Sequence, residues 1–218
     1  MLRWLTGTPA SPGWPATVGP LRTRAGAVTL RPVRLRDAKP WSELRIRNQN
    51  SLLPWEPTGV GSWSERHHPS AWAPQFSVLR SEAKRGAVLP FVIEVDGDYV
   101  GQLTVGNIQR GAVRTAWIGY WVDANRSGQG IATAAAALGV DHCFGPVGLH
   151  RLDATVQPSN GASQAVLEKI GFRREGLLQR YMDVNAKWRD HILFALTAEE
   201  VVGSAAETLV RAGRASFH

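Results

Sequence analysis

Apolar and polar residues alternate along several short stretches of this chain, which is the pattern of half-buried β-strands. The first stretch covers residues 28–33, and residues 91–95 and 99–105 form two more that are separated by Asp96-Gly97-Asp98. A glycine-containing turn between two alternating stretches predicts a β-hairpin. The same pattern predicts further strands at residues 116–122, 152–156, 172–175 and 188–196.

The segments between the predicted strands carry the signals that start and end helices. Asp37 is a predicted N-cap, and Gly86 and Gly171 are glycines of the kind that follow the last turn of a helix. The helices are predicted after Asp37 and at residues 76–85, 130–143 and 160–170. A long proline-containing loop is predicted after the first helix, and it contains Trp55, Trp63 and Trp72.

This order of elements predicts an α/β domain, of the mixed α+β kind, around one sheet. Residues 1–27 show neither the two-residue period of a strand nor the 3.6-residue period of a helix, and they are rich in proline and glycine. We therefore predict an irregular N-terminal arm there. The arm lacks the apolar core of a signal peptide. The domain itself is predicted over residues 28–200, and residues 201–218 form a C-terminal extension.

Composition narrows the possible classes of protein. The chain has 218 residues, of which 44% are hydrophobic and 20% are charged, which suits one domain with a full core. Its apolar runs are far shorter than the ~20 residues that span a bilayer, so we expect no membrane segment. The single cysteine fits a reducing cytoplasm. The net charge of +7 suits a phosphorylated cofactor, an acidic peptide or nucleic acid, and it equally suits a solvated arginine-rich surface.

The strongest chemical signal is a strand, turn and helix over residues 117–133. The turn contains Gly128 and Gly130 and leads directly into the predicted alanine-rich helix. The first turn of a helix exposes unpaired backbone N–H groups, and the helix dipole adds partial positive charge there. The segment therefore predicts a phosphate site, although it lacks the lysine of a Walker motif and the spacing of a dinucleotide-binding fingerprint.

A second strand, turn and helix follows over residues 153–172. By itself it reads as a helix capped by Asn160 and stopped by Gly171. Both segments resemble motifs of the GNAT acetyltransferases. Ser127-Gly128-Gln129-Gly130-Ile131-Ala132 is similar to the acetyl-CoA signature [Q/R]-x-x-G-x-[G/A], with Ser127 in place of the first Gln or Arg. Residues 160–172 are similar to N-x-x-[A/S]-x-x-x-[Y/L]-E-K-x-G-F.

The resemblance covers about residues 28–197 and implies the GNAT fold, a twisted and mostly antiparallel sheet flanked by helices. It also implies acetyl-CoA as a cosubstrate, whose pyrophosphate family members bind through main-chain amides and whose pantetheine arm contacts the Asn. The residues expected to bind it are Tyr120, Trp121, Val122, Ser127, Gly128, Gln129, Gly130, Ile131, Ala132, Thr133 and Asn160.

Other positions resemble the ribosomal-protein acetyltransferases of the RimJ/RimL type. Many GNAT enzymes carry a tyrosine acid seven residues after the Asn, where this chain has Leu167. Ser163 is the residue that the RimJ/RimL type usually carries three residues after that Asn. Residues 53–57 and 180–191 also look like loops of this subgroup. The resemblance implies acetylation of the N-terminal α-amine of a protein or peptide, in particular a ribosomal protein.

The reaction needs a neutral amine, a stabilised oxyanion and a proton for the leaving thiolate. An α-amine has a pKa near 7.7–8.0 against about 10.4 for lysine, so a weak base is sufficient for it. Trp117 stands where some relatives carry a glutamate base. Glu56 and Asp183 are the carboxylates considered for that role, and the backbone N–H groups of residues 120–122 are the candidate oxyanion donors.

Ser163 is the candidate acid, with the alternative that it is an ordinary serine in the first turn of a helix. Asn160 and Glu56 complete the candidate catalytic set, and Trp55, Glu56 and Tyr181 are expected to bind the acceptor. Cys143 is expected to serve packing. No metal site is expected, because His67 and His68 are adjacent and lack a third ligand at zinc spacing.

Three other functions stay open. A small-molecule acetyltransferase for an aminoglycoside or polyamine would need carboxylates, and between residues 50 and 78 only Glu56 and Glu65 are present. A non-catalytic acetyl-CoA-binding protein would fit the missing tyrosine. A nucleic-acid-binding module would need clustered basic and aromatic residues, whereas the arginines are spread along this chain. We expect a cytoplasmic monomer or dimer that meets nucleic acid only through the ribosome.

Overall fold

A computed structural model describes residues 11–217, and within them eight strands form a single sheet. Neighbouring strands run antiparallel except for the fifth and sixth, which are parallel. The order across the sheet is β1-β2-β3-β4-β5-β6-β8-β7. The strands are β1 (Val18–Thr23), β2 (Gly26–Pro32), β3 (Leu89–Val95), β4 (Asp98–Gln109), β5 (Thr115–Val122), β6 (Arg151–Val156), β7 (Arg173–Val184) and β8 (Lys187–Thr197).

Helices cover both faces of the sheet, so the predicted fold class is confirmed. The helices are α1 (Ala38–Arg47), α2 (Gln49–Leu52), α3 (Trp63–Arg66), α4 (Pro69–Lys84), α5 (Ile131–Phe144), α6 (Gly161–Lys169) and α7 (Ala205–Arg211). Along β3, Phe91 and Ile93 join the core under α5, whereas Val92 joins a second core with Trp41 of α1 and Trp72 of α4. This alternation is the period-two pattern that predicted the strand.

The prediction of an irregular N-terminal arm is wrong for the part of it that the structure describes. Residues 18–23 form β1, which pairs with β2, and Leu21 is fully buried. Trp14 also packs edge-on against Phe91, with ring centroids 5.2 Å apart. The sequence pattern is weak there because Leu21 is the one fully inward-facing residue among glycine and proline neighbours. Residues 1–10 lie outside the described part of the chain.

The predicted C-terminal extension is likewise part of the same core. Ala205, Ala206 and Leu209 of α7 are buried with the residues of α5. The carboxylate of Asp141 accepts hydrogen bonds from the backbone N–H groups of Ala205 at 2.6 Å and Ala206 at 3.0 Å, which fixes the start of α7. Burial raises the pKa of Asp141.

Three local predictions need correction. Asp37 does occupy the N-cap position of α1, but its side chain makes no capping hydrogen bond there: the buried carboxylate accepts from the Arg31 guanidinium at 2.8 and 2.9 Å and from the Arg34 backbone at 2.7 Å. Trp63 and Trp72 lie on α3 and α4 instead of in a loop. The predicted strand at residues 172–175 is the start of the much longer β7. Within residues 11–217, every helix is too short or too polar to cross a bilayer.

Candidate active site

A cleft opens where the two parallel strands separate. β5 and β6 pair only at Thr115–Trp117 with residues 151–153, and beyond that point the backbone of β5 continues with β4 alone. The gap between the strands leads into a cleft of about 1300 Å³, which passes through the sheet. Its walls are the two separated strands, the turn before α5, the start of α6, the loop after α2 and the β7–β8 hairpin.

The turn before α5 has the geometry of an anion site. Gly128 has φ +76° and Gly130 has φ +86°, values in the left-handed region that favours glycine. Gly130 is the N-cap of α5, and its carbonyl accepts from the Ala134 N–H at 2.9 Å. The first-turn N–H groups of this helix therefore point at the cleft with the helix dipole behind them. The residues predicted to bind the pyrophosphate, 127–133, all line the cleft.

Residues on α6 face the same space. Asn160 Oδ1 accepts from the backbone N–H of Ser163 at 3.1 Å, so the predicted cap is confirmed. The Ser163 hydroxyl lies 3.2 Å from the hydroxyl of Tyr120 on β5. Burial raises the pKa of Tyr120 to about 12, against the lowering effect of the hydrogen bond to Ser163, so this phenol stays protonated and available as a donor. Leu167 is fully buried in the core.

The contact between the Tyr120 hydroxyl and Ser163 was not predicted from the sequence. Tyr120 was expected only to bind acetyl-CoA and to supply a backbone N–H as an oxyanion donor. The signal was present in the alternation of β5. Ile118, Tyr120 and Val122 pack toward the core under α5, whereas Trp121 packs toward α1. Tyr120 therefore reaches α6 on one face of the sheet, and Trp117 and Trp121 belong to the other face.

The acceptor-side residues come together through the β7–β8 hairpin. Pro57 forms a β-bridge with Val184, and the Thr58 N–H donates to the Asp183 carbonyl at 2.9 Å. Gln157 at the end of β6 donates to the Pro54 carbonyl at 2.9 Å and holds the other end of the loop. The three predicted acceptor residues, Trp55, Glu56 and Tyr181, thus line one cleft.

The carboxylate of Asp183 accepts from the Thr58 hydroxyl at 2.8 Å, which gives it a structural role in joining the loop to the hairpin. Glu56 lies inside the cleft and accepts from Arg45 at 2.5 Å. Of the two carboxylates considered as a base, Glu56 is therefore the one beside the reaction space.

Arg45 and His67 are site residues that sequence reasoning missed. The buried Arg45 guanidinium lies between the rings of Trp63 and Trp121, 5.0 and 5.2 Å from their centroids, and 3.0 Å from His67 Nε2. Burial and the positive charge of Arg45 lower the pKa of His67 to about 4. The neutral ring donates from Nδ1 to the Trp63 carbonyl at 2.8 Å and accepts from Arg45.

Trp117 covers part of the acceptor face. Its ring lies over Gly106 and Gly119, and a Cβ added at Gly106 would overlap it. The ring is 45% exposed and lines the cleft. Asp153, opposite Trp117 on β6, pairs with Arg151 at 2.7 Å.

The other candidate groups have structural surroundings. Cys143 is buried, and burial raises the pKa of its thiol to about 12, so it is no nucleophile. Arg173 and Arg174 at the start of β7 pair with Glu175 and Glu168 at 2.6 and 2.9 Å. Across residues 11–217, the His, Cys, Asp and Glu side chains form no group of three that could hold a metal ion.

Comparison with known proteins gives a consistent family. The model of the family described as Acetyltransferase (GNAT) domain matches residues 27–173. RimJ of Mycobacterium smegmatis, solved in complex with CoA-disulfide, is 58% identical, with a TM-score of 0.94 over 95% of this chain and 99% of that one. The [ribosomal protein uS5]-alanine N-acetyltransferase of Escherichia coli is 27% identical over 191 residues, which are 86% of this chain and 96% of the relative.

A further relative, the probable N-acetyltransferase YjcK of Bacillus subtilis, is 42% identical over 101 residues, and this match spans 46% of the chain and 56% of the relative. The resemblance to the RimJ/RimL type is confirmed by these comparisons. The glycine turn at the start of α5, the split sheet and the matched family model agree with one another. The chain therefore belongs to the GNAT acetyltransferase family and is an N-acetyltransferase that takes its acetyl group from acetyl-CoA.

Proposed function

We propose that this enzyme acetylates the N-terminal α-amine of a ribosomal protein. The observation that carries the proposal is the form of the acceptor side: a mouth of aromatic residues, Trp55 and Tyr181, beside Glu56, whose carboxylate is already paired to Arg45. This mouth suits one uncharged amine at the end of a peptide. RimJ and the uS5-alanine N-acetyltransferase, which match most of the chain, support the same class of acceptor.

A polyamine acceptor is the second candidate, because the spermidine N(1)-acetyltransferase of Escherichia coli is 30% identical over 102 residues. That match spans 47% of this chain. A polycation needs several free carboxylates, whereas Glu56 and Asp153, the two that line the cleft, are paired with Arg45 and Arg151. The site therefore favours the peptide.

Each residue of the cleft has a role in the proposed reaction. Acetyl-CoA supplies the thioester that the amine attacks. The backbone N–H groups of Tyr120 and Val122 donate to the carbonyl oxygen as it gains charge, whereas that of Trp121 points into the ladder with β4, as does that of Asp123 two residues on. The carboxylate of Glu56 orients the amine, of which about a tenth is neutral at pH 7, and accepts the proton that the nitrogen loses as the C–N bond forms. Ser163, oriented by Tyr120 and by the Asn160 cap, donates a proton to the leaving thiolate.

We place this reaction in the cytoplasm, where contact with nucleic acid occurs through the ribosome.

The test offers the purified chain four acceptors with acetyl-CoA. These are a peptide that copies a ribosomal protein N-terminus, the same peptide with a blocked α-amine, spermidine and an aminoglycoside. Mass spectrometry measures the product. We expect acetylation of the free peptide alone. Acetylation of spermidine in preference to the peptide would contradict the proposal.

A further inference from the structure

The turn at the start of α5 is flanked by two segments that lie outside the matched family domain. Arg22 on β1 and Ser216 near the C-terminus exchange two backbone hydrogen bonds, of 2.8 and 3.0 Å. Arg24 lies two residues after this bridge, in the β1–β2 turn, and Arg214 lies two residues before it, in the C-terminal tail. The N-terminal hairpin and the C-terminal tail therefore each carry an arginine close to the bridge.

These arginines lie at the phosphate end of the cleft. Thr23, the neighbour of Arg24, is so close to Gly130 that a Cβ added there would lie 3.6 Å from the Thr23 Cβ. Arg24 and Arg214 both line the cleft. The backbone around each arginine is fixed by hydrogen bonding. Arg24 lies in the β1–β2 turn, which the pairing of Thr23 with Gly26 closes, and the Arg214 N–H donates to the Leu209 carbonyl at 2.9 Å after α7.

The charge at this end of the cleft is positive and poorly neutralised. Arg24 and Arg214 are exposed, and within residues 11–217 neither has a carboxylate at ion-pair distance. Arg126, next to the turn, and Lys169 also line the cleft, and of these four basic residues Arg126 alone has an acidic partner within residues 11–217, Asp98 at 3.2 Å. Like charges that line one cleft repel each other, so an anion bound among them would stabilise the arrangement.

We propose that Arg24 and Arg214 form a second phosphate subsite, which binds the phosphate monoester on the ribose of CoA. The pyrophosphate is provided for by the backbone amides of the turn. A phosphate monoester carries close to two negative charges and three acceptor oxygens, and guanidinium groups bind such oxygens in pairs. The subsite belongs to the segments around the family domain, because both arginines lie outside residues 27–173.

The inference depends on acetyl-CoA as the cosubstrate and is independent of the acceptor. If ribosomal peptides were not acetylated, the proposed function would fail and this subsite would be unaffected.

The experiment is calorimetric titration of the full chain with CoA and with dephospho-CoA, which lacks only the ribose phosphate. The wild type is expected to bind CoA at least about tenfold more tightly, the effect of charge-assisted hydrogen bonds to phosphate. In Arg24→Gln and Arg214→Gln this ratio should fall toward one, while the affinity for dephospho-CoA stays unchanged. Arg24→Lys should keep part of the ratio because it keeps the charge.

Arg36→Gln is the matched control, since Arg36 is an exposed arginine outside the cleft and its loss changes the net charge equally. It should keep the full ratio. Equal binding of the two ligands by the wild type would overturn the subsite. A ratio that stays large in both Gln variants would also overturn it, because the phosphate would then be bound elsewhere. Circular dichroism of each variant separates loss of binding from loss of folding.

Discussion

The two sides of the cleft recognise their ligands in different ways. The cofactor side consists mainly of backbone groups from one short stretch, the turn at residues 127–130 and the first turn of α5. The acceptor side consists of side chains from distant segments, with Arg45 and Glu56 joined to His67 and Trp121. Backbone recognition tolerates a changed side chain such as Ser127, whereas the acceptor side depends on several residues at once.

The largest expected effect is on the cofactor side. Gly130→Asp should weaken acetyl-CoA binding by at least about a hundredfold in calorimetry, because a carboxylate would face the pyrophosphate. Asp tolerates the left-handed backbone better than most residues, so the charge is the main change. Gly111→Asp is the control, since Gly111 has φ +83° and open space around it but lies outside the cleft. Unchanged binding in Gly130→Asp would remove the turn from the site.

The hydroxyl pair between the two sides comes next. Ser163→Ala and Tyr120→Phe should each lower kcat about ten- to hundredfold without changing the Kd of acetyl-CoA. Since the two residues act as a unit, the kcat of the double variant should be only slightly lower than that of the less active single variant. Ser159→Ala, an exposed serine outside the cleft, is the control for the assay. Unchanged turnover in Ser163→Ala would show that this serine is only an ordinary residue in the first turn of α6.

A smaller effect is expected on the acceptor side. Arg45→Lys keeps the charge but loses the planar group between Trp63 and Trp121. We expect the KM for the peptide to rise about tenfold while the Kd of acetyl-CoA is unchanged. Arg47→Lys on the same helix, where Arg47 pairs with Asp123, serves as the control. Equal losses for peptide and acetyl-CoA would show that the two sides are not separate.

A separate effect concerns the free energy of unfolding and its dependence on pH, rather than binding or turnover. The pKa of His67 is lowered to about 4, first by burial and then by Arg45, from an ordinary value near 6.5. Between pH 4 and pH 6.5 the unfolded chain binds more protons at His67 than the folded chain does. The contribution of His67 to the free energy of unfolding is therefore complete above pH 6.5 and declines as the pH falls toward 4. Urea unfolding should show that the free energy of unfolding falls by about 2–3 kcal/mol between pH 7 and pH 4 because of this residue.

His67→Gln should make the free energy of unfolding less dependent on pH over that interval, although burial also lowers the pKa of His142 and leaves some dependence. His68→Asn, at an exposed helix cap, should leave the dependence as in the wild type. The same loss of stability in His67→Gln as in the wild type would contradict the assignment.

What could be predicted from the sequence follows the same division. The cofactor turn, the Asn160 cap and most strands were readable because their signals are local: glycines at a helix start, a cap residue and alternation. The contact between Arg45 and Glu56 joins α1 to a loop, and no local pattern reports it. β1 and α7 were misjudged for a related reason, because each becomes buried only against distant elements, β2 for one and α5 for the other.

The most direct test of the account is the position of the acetyl group on a peptide that has both a free N-terminal α-amine and an internal lysine. Fragmentation mass spectrometry after reaction with acetyl-CoA at pH 7 measures it. We predict acetylation at the α-amine alone, because both carboxylates that line the cleft are paired with arginines and leave only a weak base. Acetylation at the lysine, with the α-amine unmodified, would contradict the proposal that this enzyme acetylates N-terminal α-amines.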